Sequence, residues 1–216
     1  MISVLGNGQA SAPADYAGIQ MVFGAGDLYP NPETPTPPAP LREADLQPLV
    51  EALTALNIPA DNIEVYLSAS PGFPPETAVS PRLQVQLDNP THSSIQRVIE
   101  AVRQLDQEND RFNLQQFGVW YSLNDCRPLE EAARRSAIED VQIKSQSIAA
   151  AAGMELGELV ALSGGDVYPP LYGGYACPAS PTSYIDPYSV PPPYTPFVPV
   201  EVRLTGTVTA VYEMMD

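Results

Sequence analysis

Among the side chains able to do chemistry, the chain offers one histidine, His92, two cysteines, Cys126 and Cys177, and 26 carboxylates. A lone histidine beside Thr91 cannot build the usual zinc set or a Ser-His-Asp triad unless several partners converge on it, and no spacing in the chain brings them there. His92 reads more simply as a solvated or capping residue at a helix start. An acid/base pair needs two carboxyl groups held in different environments, whereas Asp61, Glu64, Asp140 and Glu155 read as caps and solvated faces. Gly6-Asn7-Gly8 lacks the third glycine, the following helix and the lysine of a phosphate loop, and reads as a turn or bulge. No residue is therefore assigned to catalysis, a cofactor or a metal, and a hydrolase built on carboxylates ranks last among the readings. Cys126 and Cys177 lie too far apart for a CxxC motif. They read as two unrelated thiols, the alternative being a disulfide that pins a long loop to a helix start.

One segment invites a functional reading. Residues 165–199 hold ten of the 25 prolines and six of the 11 tyrosines, too little apolar aliphatic surface for a packed core. Tyrosines among prolines offer rigid amphipathic surface at low entropic cost. Tyr168, Tyr172, Tyr175, Tyr184, Tyr188, Pro192, Pro193 and Tyr194 are the candidate partner contacts. Pro191-Pro192-Pro193-Tyr194 also has the PPxY form bound by WW domains. Self-association or loop packing is preferred, since a four-residue match arises easily in proline-rich sequence.

Charge narrows the partners. Ten Lys and Arg against 26 Asp and Glu leave a formal charge of −16, which repels phosphate backbones and anionic lipid at long range, so nucleic acid is excluded as a partner. No apolar run approaches the ~20 residues of a membrane-spanning helix. Met1 leads straight into Ile2-Ser3-Val4-Leu5 with no basic and then apolar stretch, so either the protein stays inside the cell or an export signal has been removed.

The elements that must position these residues follow from periodicity. A strand over Ile2–Leu5, a break at Gly6-Asn7-Gly8 and a strand through Ile19–Phe23 suggest a hairpin. Residues 30–40 hold six prolines in eleven positions and read as an extended loop. Leu46, Leu49, Val50, Leu53 and Leu56 lie on one helix face, with Pro48 arguing for a late start. Alternating strands over residues 62–67 and 83–88 flank a Pro71-Gly72-Phe73-Pro74-Pro75 turn region. A helix capped by Thr91 or Ser93 carries Ile95, Val98, Ile99, Val102 and Leu105. A strand over Phe112–Leu123 precedes a third helix, which begins after Pro128 and stops at Gly153. The face of that helix, rich in small residues (Ala133, Ala137, Ala149, Ala152), demands close packing, best against a sheet. A short strand at Leu159–Leu162 and a strictly alternating strand over Val202–Tyr212 close the list. The expected fold is α+β: a two-layer sandwich, a mostly antiparallel sheet with helices packed on one face.

The third helix and its exit, Ala133-Arg134, Ala137, Asp140, Ile148-Ala149 and Gly153-Met154-Glu155-Leu156-Gly157, resemble the signature of the SIMPL domain family. Ile2 to Gly8 resembles that family's opening strand, Ile58 to Ile63 the exit of its first helix, and Val200 to Glu213 its closing strand. Val141 and Ser145 stand where the family has alanines, and Asn57 where it has a glycine. The resemblance implies one domain over 1–164, closed by a strand in 200–216, with 165–199 as an inserted Tyr/Pro-rich loop. It further implies a bacterial protein of the periplasm or cell envelope, ring- or barrel-like homo-oligomers in some relatives, a link to oxidative-stress defence in others, and no established catalytic residue. Two functions compete. One is a non-enzymatic envelope protein that assembles with itself through strand edges and the 165–199 loop; the other is a monomeric adaptor or ligand-binding module whose Tyr/Pro loop captures a protein partner.

Overall fold

A computed structural model describes residues 1–25, 41–69, 79–109, 111–168 and 192–215. The expected loop at 30–40 and the turn region at 71–75 lie outside the described residues. Among the described residues, seven strands and three helices, with two short 3-10 turns around the first helix, follow one another. They divide into two compact units. One comprises Met1–Ala14, Ser122–Ile185 and Glu201–Asp216, the other Asp15–Tyr121 and Asp186–Val200, as far as these are described.

The first unit holds β1 (Ile2–Pro13), α3 (Arg127–Ala151), β6 (Glu155–Tyr168) and β7 (Glu201–Met215). Its sheet runs β1-β7-β6, antiparallel throughout. Strand β7 is central because strict alternation lets it bury one face, with Val202, Leu204, Val208, Ala210 and Tyr212 covered. The core joins Val208, Ala210 and Tyr212 to Ala137 and Val141 of α3, so the small-residue face of the helix does lie on a sheet.

Strand β1 runs unbroken through Gly6-Asn7-Gly8 and pairs with β7 from Ile2↔Tyr212 to Pro13↔Glu201. The expected hairpin does not form, since β1 and the next strand belong to different sheets. The physical reason is close approach. A Cβ on Gly6 would sit 2.3 Å from the Ala137 carbonyl oxygen, and one on Gly8 would sit 2.1 Å from the Ala137 nitrogen. The two glycines thus form a track for the helix backbone and not a turn.

Strand β6 also differs from expectation. It spans 14 residues and not four, because pairing with β7 carries it through Ser163-Gly164-Gly165-Asp166, with register shifts at Leu156/Leu159, Leu159/Ala161 and Gly164/Val167.

The second unit holds β2 (Tyr16–Ala25), α1 (Gln47–Ala55), β3 (Ile63–Ala69), β4 (Val79–Asp88), α2 (His92–Glu108) and β5 (Phe112–Ser122). Sheet order is β3-β4-β2-β5, so the two β-α-β pairs interleave, each leaving a gap filled by a strand of the other. Ile19, Met21 and Phe23 of β2 with Leu83 and Val85 of β4 pack against Leu46, Leu49 and Leu53 and against Ile95, Val98 and Val102. Each unit therefore has the α+β character expected, helices on one face of an antiparallel sheet. Helix starts and stops obey local rules. Pro48 falls in the first turn of α1, and the Thr91 hydroxyl accepts the Ser94 N–H at 3.1 Å to cap α2. Gly153 (φ 70°) and Asn57 (φ 64°) take the left-handed conformation just past α3 and α1.

Candidate functional site

In the first unit α3 does more than cover the sheet. Asp140 Oδ2 accepts the backbone N–H of Asn7 at 2.8 Å, and Lys144, one turn on, pairs with Asp140 at 2.6 Å. Lys144 Nζ also donates to the Leu5 carbonyl at 3.4 Å. Leu5 and Asn7 lie on β1, an edge strand. The Asn7 N–H and the Leu5 carbonyl are groups of the kind that would otherwise pair with another chain, and the two helix side chains occupy these two. Hydrogen bonds from Lys144 and then from Asn7 hold the Asp140 carboxyl below the ordinary aspartate range.

The opposite edge is β6. Strand β6 ends the sheet order, and among the described residues no strand pairs with its outer side. Its residues from Glu158 to Asp166 are all exposed, including Leu159 at 49%, Val160 at 52% and Leu162 at 50%. Sequence periodicity could not find this site, because an exposed apolar run looks the same as a buried strand until its neighbours are known. Asp140, read from sequence as a solvated or capping residue, is in fact the acceptor for the covered edge. The signal available in the sequence was its i,i+4 spacing to Lys144.

Of the eight Tyr/Pro contact residues, Tyr172, Tyr175, Tyr184 and Tyr188 lie outside the described residues, as does Pro191. Tyr168 ends β6 and is 44% exposed. Pro192, Pro193 and Tyr194 sit in the second unit. There the Pro192 carbonyl accepts the Val119 N–H of β5 at 3.1 Å, and Tyr194 is half-buried against the core. The Tyr194 hydroxyl lies 3.2 Å from His92 Nδ1, and the rings are tilted with centroids 6.5 Å apart. Burial and then the neighbouring Tyr194 push the Tyr121 hydroxyl up to about 12, and burial raises that of Tyr194. His92 thus opens α2 as expected and also anchors a tyrosine far along the chain.

A cleft of about 260 Å³ opens between the end of α1 and the early turns of α2, lined by Asn57, Ile58, Asn62, Gln86, Asp88 and Arg97 among others. Asp88 is the one carboxylate on its wall, so the paired carboxylates of a hydrolase do not meet there. Among the described residues no group of three or more His, Cys, Asp or Glu is set to hold a metal ion, and no helix is long and apolar enough to cross a membrane. Cys126, the residue before α3, is disulfide-bonded, so the expectation of two unrelated thiols does not hold for it. Cys177, the only other cysteine in the chain, lies outside the described residues.

A glycine-tracked helix on a three-stranded sheet, joined in one chain to an interleaved β-α-β unit, defines an α+β protein. The family model of SIMPL, described as a protein of unknown function (DUF541), matches residues 42–212, and the chain belongs to that family. A search among curated proteins finds no match. Among solved structures, the regulatory subunit of aspartate kinase from Thermus flavus aligns with 93% of this chain and 86% of its own, at 14% identity and a TM-score of 0.26. A likeness at that level carries no argument about fold or function.

Proposed function

We propose that this SIMPL-family chain is a non-enzymatic protein of the cell envelope that acts by assembling with copies of itself. The observation that carries the reading is β6: a 14-residue strand at the sheet edge with Leu159, Val160 and Leu162 each about half exposed. Chains that remain single blunt such edges with charge, proline, bulges or a covering element; helix side chains take two backbone groups of the β1 edge, whereas among the described residues the apolar centre of β6, between its register shifts, has no covering element. A disulfide at Cys126 fits an oxidising compartment, which supports the envelope.

The adaptor reading draws on the Tyr/Pro segment. The described end of that segment lies along its own sheet through Pro192 and Tyr194, which weighs toward self-assembly. Light scattering over a hundredfold range of concentration tests the proposal. A particle mass at a multiple of 23.2 kDa is expected, and a single chain throughout would overturn it.

A further inference from the structure

The cleft of the second unit, about 260 Å³ in volume, lies between the chain leaving α1, the end of β4 and the early turns of α2. Its described lining holds one cation, Arg97, and one carboxylate, Asp88. Five other cations are ion-paired at 3.3 Å or less. Among the described residues Arg97 and Asp88, on the walls of one cleft, pair neither with each other nor with any other side chain. Ser94, also on the wall, commits its hydroxyl to the α2 cap by donating to the Thr91 carbonyl at 2.9 Å. The Asn62 amide donates to the Gln86 carbonyl at 3.3 Å, which fixes the side chain and leaves its Oδ1 as an acceptor. Ile58, Leu87 and Val98, all core residues, supply apolar lining. Two bends in the chain frame the cleft. Asn57 (φ 64°) and Asn89 (φ 46°) are the non-glycine residues with positive φ among those described. Asn57 lines the cleft and Asn89 follows Asp88; such conformations persist where the surroundings hold them, and they gather at ligand clamps.

These walls select a ligand by charge and size. A simple anion drawn to Arg97 meets the charge of Asp88, and a simple cation drawn to Asp88 meets that of Arg97; a ligand carrying both charges satisfies both. The volume falls just under the roughly 300–1,000 Å³ of sites for drug-sized ligands, so the occupant is a single small molecule. We propose that the cleft binds a free α-amino acid with an apolar side chain. Arg97 takes the carboxylate, for which its planar fork of donors is matched. Asp88 takes the ammonium, and the apolar side chain lies against Ile58, Leu87 and Val98. The cleft belongs wholly to the second unit, so this inference stands apart from self-assembly and survives its failure.

Isothermal titration of the full chain with L-leucine, L-valine, L-methionine and L-phenylalanine tests the proposal. Saturable binding of at least one of them is expected. Leucinamide, which keeps the ammonium and loses the carboxylate charge, and isocaproate, which keeps the carboxylate and loses the ammonium, should each bind at least tenfold more weakly than L-leucine. That comparison uses wild-type protein and needs no variant to fold. Arg97 and Asp88 are both exposed, so Arg97→Gln and Asp88→Asn should keep the wild-type circular dichroism spectrum and each weaken L-leucine at least tenfold. Arg97→Gln should also erase the preference for L-leucine over leucinamide, which a merely structural role for the residue would not do. No saturable binding of any of the four amino acids overturns the proposal. So does wild-type protein that binds leucinamide or isocaproate as tightly as L-leucine, and so does unchanged L-leucine binding in both variants.

Discussion

The carboxylate of Asp140 accepts the backbone N–H of Asn7 at 2.8 Å, across 133 residues of sequence. That bond gives a helix side chain the place that a neighbouring strand would take on the β1 edge. Because the folded-state pKa of Asp140 is depressed from 3.8, its contribution is fully present above the unfolded value and is lost as pH falls through the folded one. Asp140→Asn should therefore flatten the acid limb of the stability curve below about pH 4. Urea unfolding at pH 7 and at pH 3 checks it, and the difference between wild type and variant should shrink at the lower pH.

Gly8 is where the strand and helix backbones come closest. Gly8→Ala puts a methyl group 2.1 Å from the Ala137 nitrogen, and helix backbone cannot rotate away as a side chain can, so the cost should reach about 3 kcal/mol. At Gly164 an added Cβ meets nothing within 4 Å, and Gly164→Ala should change stability by about 0.5 kcal/mol or less. Denaturant midpoints of the two variants test the contrast; equal effects would mean that α3 does not ride on β1 as described.

Ser145 is fully buried on α3, and its hydroxyl has no hydrogen-bond partner among the described residues. A buried hydroxyl left unmade costs about 1–3 kcal/mol, while its small volume suits the helix-to-sheet spacing. Ser145→Ala should raise stability by about 1 kcal/mol, seen as a higher midpoint in thermal unfolding.

Tyr194 fastens the 192–200 segment to the second unit. Tyr194→Phe keeps the ring and loses the contact with His92 Nδ1, at a cost of about 0.5–1.5 kcal/mol. Tyr194→Ala removes the ring as well, and the Val119 amide, bonded to the Pro192 carbonyl, should then exchange with solvent at least tenfold faster. Residue-resolved hydrogen exchange reads this directly.

Local chemistry was legible in the sequence, and long-range pairing was not. Thr91 as a cap, Pro48 as a late start, Gly153 as a stop and the small-residue face of α3 all follow from rules that act within a few residues, and the structure keeps each of them. The signature running from Ala133 to Gly157 carried the family. Gly6-Asn7-Gly8 misled because glycine serves both turns and close approach, and only the position of α3 separates the two. Strand β6 read short because Ser163-Gly164-Gly165-Asp166 has turn composition, which pairing with β7 overrides. The Tyr194–His92 contact spans 102 residues, beyond the reach of any periodicity.

Sedimentation velocity on wild type and on the double variant Val160→Lys, Leu162→Lys tests the uncovered edge most directly. Lysine on an edge strand opposes pairing with another chain, and Val160 and Leu162 are each about half exposed, so the substitutions leave the buried residues of β1, β7 and α3 in place. Wild type should sediment as a multiple of the 23.2 kDa chain, and the variant as one chain with an unchanged far-UV circular dichroism spectrum. A variant that keeps the wild-type mass, or a wild type already at the mass of one chain, would contradict assembly through β6.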